Sequence, residues 1–143
     1  MRCSSAIPSA VEEFLRFESP VKISGAVRYA RADTEIAGRR VAAGDAVMVH
    51  YGAANRDPRR FRAPDELDID RPTVGGSSAG HLAFSHGLHY CLGAPLARLE
   101  ARVAFETLLS AYPRATLAVP ADQIGYRASR LMRGVAELPV RLF

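Results

Sequence analysis

The 143-residue chain is 48% hydrophobic and 24% charged, the balance of one globular domain with an affordable core. It has no apolar run long enough to span a membrane, and its opening MRCSSAIPSA lacks the apolar stretch of a secretory signal, which points to the cytoplasm. The formal net charge is +4, and Lys22 is the only lysine among 19 basic residues, so the positive charge is almost all arginine, which suits planar carboxylates and phosphates. Those arginines are scattered rather than striped, and tryptophan is absent, which argues against nucleic-acid binding.

The first predicted element is a helix. Ser9 with Glu12 forms a capping box after Pro8, Val11, Phe14 and Leu15 share a face, and Ser19-Pro20 should stop the helix. Val27 to His50 changes to strand character, with Tyr29, Val41 and the run Ala46–Val49 separated by turns at Ala37-Gly38 and Gly44-Asp45. This predicts a small antiparallel sheet, followed by a short helix over Tyr51–Asn55 that ends at Asp57-Pro58. Arg59 to Gly80 is rich in Pro, Gly, Asp and Arg and predicts a long irregular segment. The strongest helix runs from Ala94 to Tyr112. Leu96, Leu99 and Val103 recur on one face and Ala97, Ala101, Ala104 and Leu108 on an adjoining one, which predicts a mostly buried helix with a polar stripe of Arg98, Arg102 and Glu106. Leu117 to Phe143 predicts short strands with a hairpin near Arg130–Gly134.

The two cysteines, Cys3 and Cys91, are too far apart and too few for a disulfide framework. Cys91 lies in Phe84-Ser85-His86-Gly87-Leu88-His89-Tyr90-Cys91-Leu92-Gly93, just before the long helix. A helix start offers unpaired N–H groups and positive dipole charge, which favour a thiolate. Gly87 permits a tight turn and Gly93 leaves room beside the sulfur. Phe84 can cover a flat ligand, and His89 can reach that ligand's rim. Two other readings stand beside this one. Cys91 can be a small packing residue at a helix start. Alternatively, His86, His89 and Cys91 can bind zinc with Cys3, His50 or His81 as fourth ligand, although structural zinc sites usually carry paired short spacings.

The pattern Phe84-x-x-Gly87-x-x-x-Cys91-x-Gly93 resembles the haem signature of the cytochrome P450 family. The flanking His81-Leu82-Ala83-Phe84 and Leu92-Gly93-Ala94-Pro95-Leu96-Ala97-Arg98 are similar to its soluble bacterial members. The resemblance spans about Ile7 to Phe143 and implies an α+β chain, residues 1–143 forming one partial domain that is the C-terminal fragment of that mainly helical fold. It also implies haem b as cofactor, with Cys91 the axial iron ligand and Arg28 and His89 the propionate partners. Glu13-Phe14-Leu15-Arg16 matches the family's Glu-x-x-Arg motif. Arg71, in Leu67-Asp68-Ile69-Asp70-Arg71-Pro72, matches the second arginine, with Leu67 where a phenylalanine is usual, so Glu13, Arg16 and Arg71 should form a structural network. Segments around Val21 and Ile23 and around Leu131 and Met132 resemble those lining the substrate side. They suggest a small organic, mainly apolar substrate. Arg98 and Arg102 fall where the family receives a ferredoxin-type electron donor.

The resemblance implies oxygen-dependent monooxygenase chemistry with thiolate donation to iron. The helix carrying the family's acid–alcohol proton pair is missing. Asp33-Thr34 falls in a predicted turn and Glu106-Thr107 on the cysteine-side helix. Three outcomes are consistent with that: a truncated enzyme, a haem-binding remnant or haem-thiolate sensor, or a chain completed by a separate polypeptide. Met1 directly before recognisable sequence points to the first. Apolar surface on the long helix should then lack its cover.

Overall fold

The computed structural model describes residues 2–71 and 80–143. Helix α1 spans Arg2–Glu18, earlier than its capping signal predicts, and Pro8 lies inside it. Proline removes one helical hydrogen bond. The Ser9 hydroxyl does not cap; it donates back to the Ala6 carbonyl at 2.9 Å. Packing carries the helix through the proline. Ile7 and Val11, on either side of it, are buried, and Phe14 meets the ring of Phe105 at 5.4 Å. The helix stops where expected. The Ser19 amide donates to Leu15 O and Ser19 turns to a φ of 42° just before Pro20.

The strand region forms two ladders rather than one sheet. Strands β1 (Arg28–Tyr29), β2 (Thr34–Ile36), β3 (Arg39–Val41) and β4 (Ala46–Val47) pair antiparallel as β1 with β4 and β2 with β3. Ile36 faces Arg39, so Ala37 and Gly38 are the whole loop, and their φ values of 49° and 78° make it the two-residue turn that matches strand twist. Helix α2 (Tyr51–Ala54) follows, capped by His50 Nδ1, which accepts from the Ala53 amide at 3.0 Å. Residues 59–71 form turns without regular structure, as expected. The rest of that predicted segment, through residue 79, lies outside the described residues.

A 3-10 turn at Gly87–His89 leads into helix α3 (Ala94–Ala111), with Pro95 in its first turn. Strands β5 (Thr116–Leu117) and β6 (Val140–Arg141) pair antiparallel. Between them the predicted hairpin forms, with Tyr126 bridging Val135 and the Arg127 amide donating to Gly134 O.

The expected burial of α3 is corrected by the structure. Ala94 is its only buried residue, while Leu96, Leu99, Val103, Leu108 and Leu109 are exposed. The apolar pattern is present, but among the described elements α1 is the one that packs along this helix, and a single helix cannot cover two faces. The interior is also unusual in composition. Its largest fully buried side chains are Arg16, Glu13, Asn55 and Ser19, all polar.

Candidate functional site

Two adjacent carboxylates of α1 organise this interior. Glu13 receives the Arg16 guanidinium on both oxygens at 2.7 Å. It also accepts the Asp68 amide at 3.0 Å and Arg71 Nε at 3.2 Å. Burial raises the Glu13 pKa, but these donors and the Arg16 charge outweigh it, so the carboxyl is held below its usual range. The two arginines spend their remaining N–H groups on backbone. Arg16 donates to Asn55 O and Pro64 O at 2.8 Å and to Glu66 O, and Arg71 donates to Arg62 O, Ala63 O and Glu66 O. The structure therefore brings Glu13, Arg16 and Arg71 together and fastens the irregular segment 62–71 to α1.

Asn55 extends this connection toward the cysteine loop, a role the sequence reading missed. Its side chain donates to Ser19 Oγ at 2.8 Å and accepts the Leu82 amide at 2.6 Å. An asparagine closing a short helix ahead of Asp57-Pro58 reads as an ordinary cap. Its long-range contacts with Ser19 and Leu82 distinguish it.

The loop itself is held by backbone. The Cys91 amide donates to Phe84 O at 2.9 Å, and Cys91 O accepts the Ala94 amide at the head of α3. Gly87 takes a φ of 71°, the left-handed conformation glycine suits. Ser85 takes a φ of 66° without that advantage, and its hydroxyl meets Tyr51 Oη at 3.2 Å. Cys91 is a free thiol and is exposed, which removes the reading of a buried packing cysteine. On either side of it Leu88 and Leu92 are almost wholly exposed. A Cβ at Gly93 would come within 3.8 Å of Cys91 Sγ, so this glycine keeps the sulfur's flank open. An exposed sulfur between bare leucines at a helix start fits a large flat apolar group carrying a thiolate-seeking metal. Among the described residues, no group of three or more His, Cys, Asp or Glu side chains is placed to hold a metal ion, which leaves the zinc set without support.

Arg28 on β1 and His89 in the 3-10 turn are exposed, and neither side chain has a partner among the described residues. Both are free to meet an anionic group. Val21 and Met132, far apart in sequence, form an antiparallel bridge, and the Lys22 amide donates to Leu131 O at 2.8 Å. The two predicted substrate-side segments, with Ile23 beside them, therefore adjoin. The two helix arginines differ. Arg102 is exposed and makes only a loose 4.0 Å contact with Glu106. Arg98 turns inward onto Glu12 at 2.6 and 2.9 Å. Among the described residues no helix is long and apolar enough to cross a membrane.

The exposed thiol just before α3 and the buried Glu-x-x-Arg network lie in the pattern of the cytochrome P450 family. The cytochrome P450 family model matches residues 7–120, and the chain belongs to that family, whose cofactor is haem b. It is 43% identical over 141 residues to 6-deoxyerythronolide B hydroxylase of Saccharopolyspora erythraea, covering 99% of this chain and 33% of that protein. It is 46% identical to vitamin D(3) 25-hydroxylase of Pseudonocardia autotrophica, covering 96% and 33%. Among solved structures, the tirandamycin C-bound P450 monooxygenase TamI superposes with a TM-score of 0.90 at 50% identity, covering 97% of this chain and 33% of that one. The chain thus spans about a third of the length of these relatives, and its fold is an α+β fragment of theirs.

Proposed function

We propose that this chain supplies the thiolate side of a haem-dependent monooxygenase, with residues 1–143 acting as one partial domain and Cys91 as the axial ligand of haem iron. The observation that carries this reading is the exposed Cys91 thiol at the head of α3, inside the stretch matched by the family model. When bound, haem supplies the reductive activation of dioxygen that puts one oxygen atom into an organic substrate and releases the other as water, and a thiolate ligand favours O–O cleavage. Phe84, Gly87 and Gly93 shape the cradle. Arg28 and His89 are the propionate partners, with Arg28 suited to bidentate pairing.

The joined segments around Val21, Ile23, Leu131 and Met132 offer an apolar edge for a small organic substrate. The hydroxylases of 6-deoxyerythronolide B and of vitamin D(3) named among the relatives fit such an edge. An acidic ferredoxin-type donor would meet the α3 side, where Arg102 is the outward charge. The cytoplasm is the compartment consistent with this chemistry. Neither nucleic acid nor membrane enters the reading.

The test is optical. The chain is reconstituted with haemin, reduced and exposed to carbon monoxide. A far-red-shifted Soret band that Cys91→Ala abolishes supports the assignment. Absence of the band in folded protein, or its persistence in Cys91→Ala, overturns it.

A second reading is a haem-binding segment without turnover of its own. It is favoured by the length relationship, since the chain covers only 33% of 6-deoxyerythronolide B hydroxylase. The two candidate acid–alcohol pairs also lie elsewhere: Asp33 is tied to Arg40, and Glu106-Thr107 sits on α3. Substrate-dependent NADPH consumption with a surrogate ferredoxin system separates the two.

A further inference from the structure

The haem-ligand reading leaves one buried charged cluster without a role. Glu12 lies next to Glu13 but faces the other way, onto α3 and the cysteine loop. It accepts Arg98 Nε and Nη2, one on each oxygen, at 2.6 and 2.9 Å. It also meets His81 Nε2 at 3.1 Å. His81 Nδ1 accepts the Ala83 amide at 3.1 Å, which leaves Nε2 as the proton-bearing nitrogen that donates to Glu12. The His81 side chain is 1% exposed and that of Glu12 16%, so this is an interior arrangement rather than a surface pair.

Both partners of Glu12 converge on Phe84. The Arg98 guanidinium sits 4.6 Å from the centre of its ring, and His81 and Tyr90 approach the same ring at 6.4 and 6.5 Å. Arg98 Nη1 also donates to the Tyr90 hydroxyl oxygen at 3.0 Å, and Tyr90 directly precedes Cys91. Phe84 in turn supplies the carbonyl that accepts the Cys91 amide. One guanidinium therefore touches both residues that define where Cys91 sits, and its own position is fixed by a carboxylate on a different helix.

We propose that Arg98, held by Glu12, is a positioning residue for the Cys91 loop: its place over the Phe84 ring and its bond to Tyr90 hold the thiol in the place where it meets iron. The proposal rests on Cys91 as haem ligand for its functional consequence. A surface charge recruiting a partner would instead look like Arg102, which has the same charge one turn along α3 and no firm contact. Cation–ring contacts gain strength when desolvated, and Arg98 is three-quarters covered.

The variants are Arg98→Ala, Arg98→Lys and Glu12→Gln in the full chain, with Arg114→Ala as a control on an exposed arginine beyond α3. Two readouts are taken. In the haem-free chain, hydrogen exchange is followed at the Cys91 amide and, for comparison, at α1. In the haem-loaded chain, the ferrous carbon-monoxide Soret band and the iron reduction potential are measured. Exchange at Cys91 should rise about tenfold or more in Arg98→Ala and Glu12→Gln while α1 keeps its protection. Both variants should also shift the potential and lose part of the thiolate-type band. Arg98→Lys keeps a charge for Glu12 but loses the guanidinium's paired bonds to Glu12 and its cover over Phe84, and should fall between them and the wild type.

Wild-type exchange at Cys91 with an unchanged band and potential in all three variants overturns the proposal. Uniform loss of protection throughout the chain in all three does so as well, because the cluster would then be a lock for the whole fold. If the wild-type chain itself shows no thiolate-type band, the haem-ligand reading fails, and the Cys91 exchange rates in the haem-free chain still decide whether Arg98 positions the loop.

Discussion

Glu12 and Glu13 are neighbours on α1 and hold opposite walls of the site. Glu13 binds the irregular segment through Arg71 and the Asp68 amide, and Glu12 binds α3 through Arg98. One helical turn thereby joins the parts of the chain before and after the cysteine loop.

The partner of Glu13 inside α1 is the more costly one to lose. Arg16 is fully buried and makes five hydrogen bonds, two to Glu13 and three to carbonyls of Asn55, Pro64 and Glu66. Arg16→Ala should destabilise the chain by about 3–5 kcal/mol, because it strands a buried carboxylate and leaves carbonyls unpaired. Arg71→Ala leaves Glu13 its bidentate partner and should cost less. Urea melts of both variants check the order; equal midpoints would contradict it.

Acid should loosen both walls. Burial alone would raise the Glu12 pKa, but hydrogen bonds from His81 and Arg98 and the Arg98 charge outweigh it and hold the carboxyl down at about 2. Glu13 is lowered in the same sense. A depressed folded pKa contributes stability that is present above the ordinary carboxylate value of 4.5 and is lost as pH falls toward 2. Thermal melts should therefore hold steady above that window and fall within it. Glu12→Gln should flatten part of the fall. A melting temperature independent of pH between 5 and about 2.5 would refute this linkage.

Much of this was visible in the sequence because it rests on local signals. Pro20 ends α1, Gly87 marks the loop, Pro95 opens α3, and the spacing of Phe84, Gly87, Cys91 and Gly93 carries the family's pattern. Glu13, Arg16 and Arg71 were found by position within that pattern. What escaped depends on contacts across long separations. Glu12 was read as half of a capping box with Ser9, whereas its oxygens belong to His81 and Arg98, 69 and 86 residues away. Arg98 was read as a surface charge because helical spacing places it on the polar stripe, and only the position of α1 shows that this stripe is covered. The start of α1 was misread for the same reason, since tertiary packing of Ile7 and Val11 outweighs a local proline.

The β2–β3 turn offers a gain in stability. Ala37 holds a φ of 49°, where an alanine side chain is disfavoured, and it precedes Gly38 in the two-residue loop. Asparagine tolerates this conformation, and Asn-Gly is the preferred pair for such a turn. Ala37→Asn should stabilise the hairpin by about 0.5–1 kcal/mol. The site is exposed and remote from Cys91, so the carbon-monoxide band should not change. Denaturant melts decide the sign, and a destabilised Ala37→Asn would mean that the turn differs from the one described.

The bare face of α3 predicts how the isolated chain behaves. Leu96, Leu99 and Val103 are exposed along one face of α3, Leu108 is exposed on the adjoining one, and Leu88 and Leu92 project almost fully just before the helix. A row of exposed aliphatic side chains of this kind is an association surface rather than ordinary scatter. Between α1 and α3, Ala6, Ile7, Ala10, Phe14, Phe105 and Leu109, with Ile69 beside them, line a further wholly apolar groove of about 270 Å³. The chain spans about a third of the length of its relatives. Purified alone, the chain should self-associate and bind a hydrophobic dye, with the associated fraction rising with concentration in sedimentation velocity. Replacing Leu99 and Val103 with glutamine should lower both signals without loss of helix content, because neither side chain is buried in this chain. A monodisperse monomer with a cooperative melt and no dye binding would show instead that these residues find cover within the 143-residue chain.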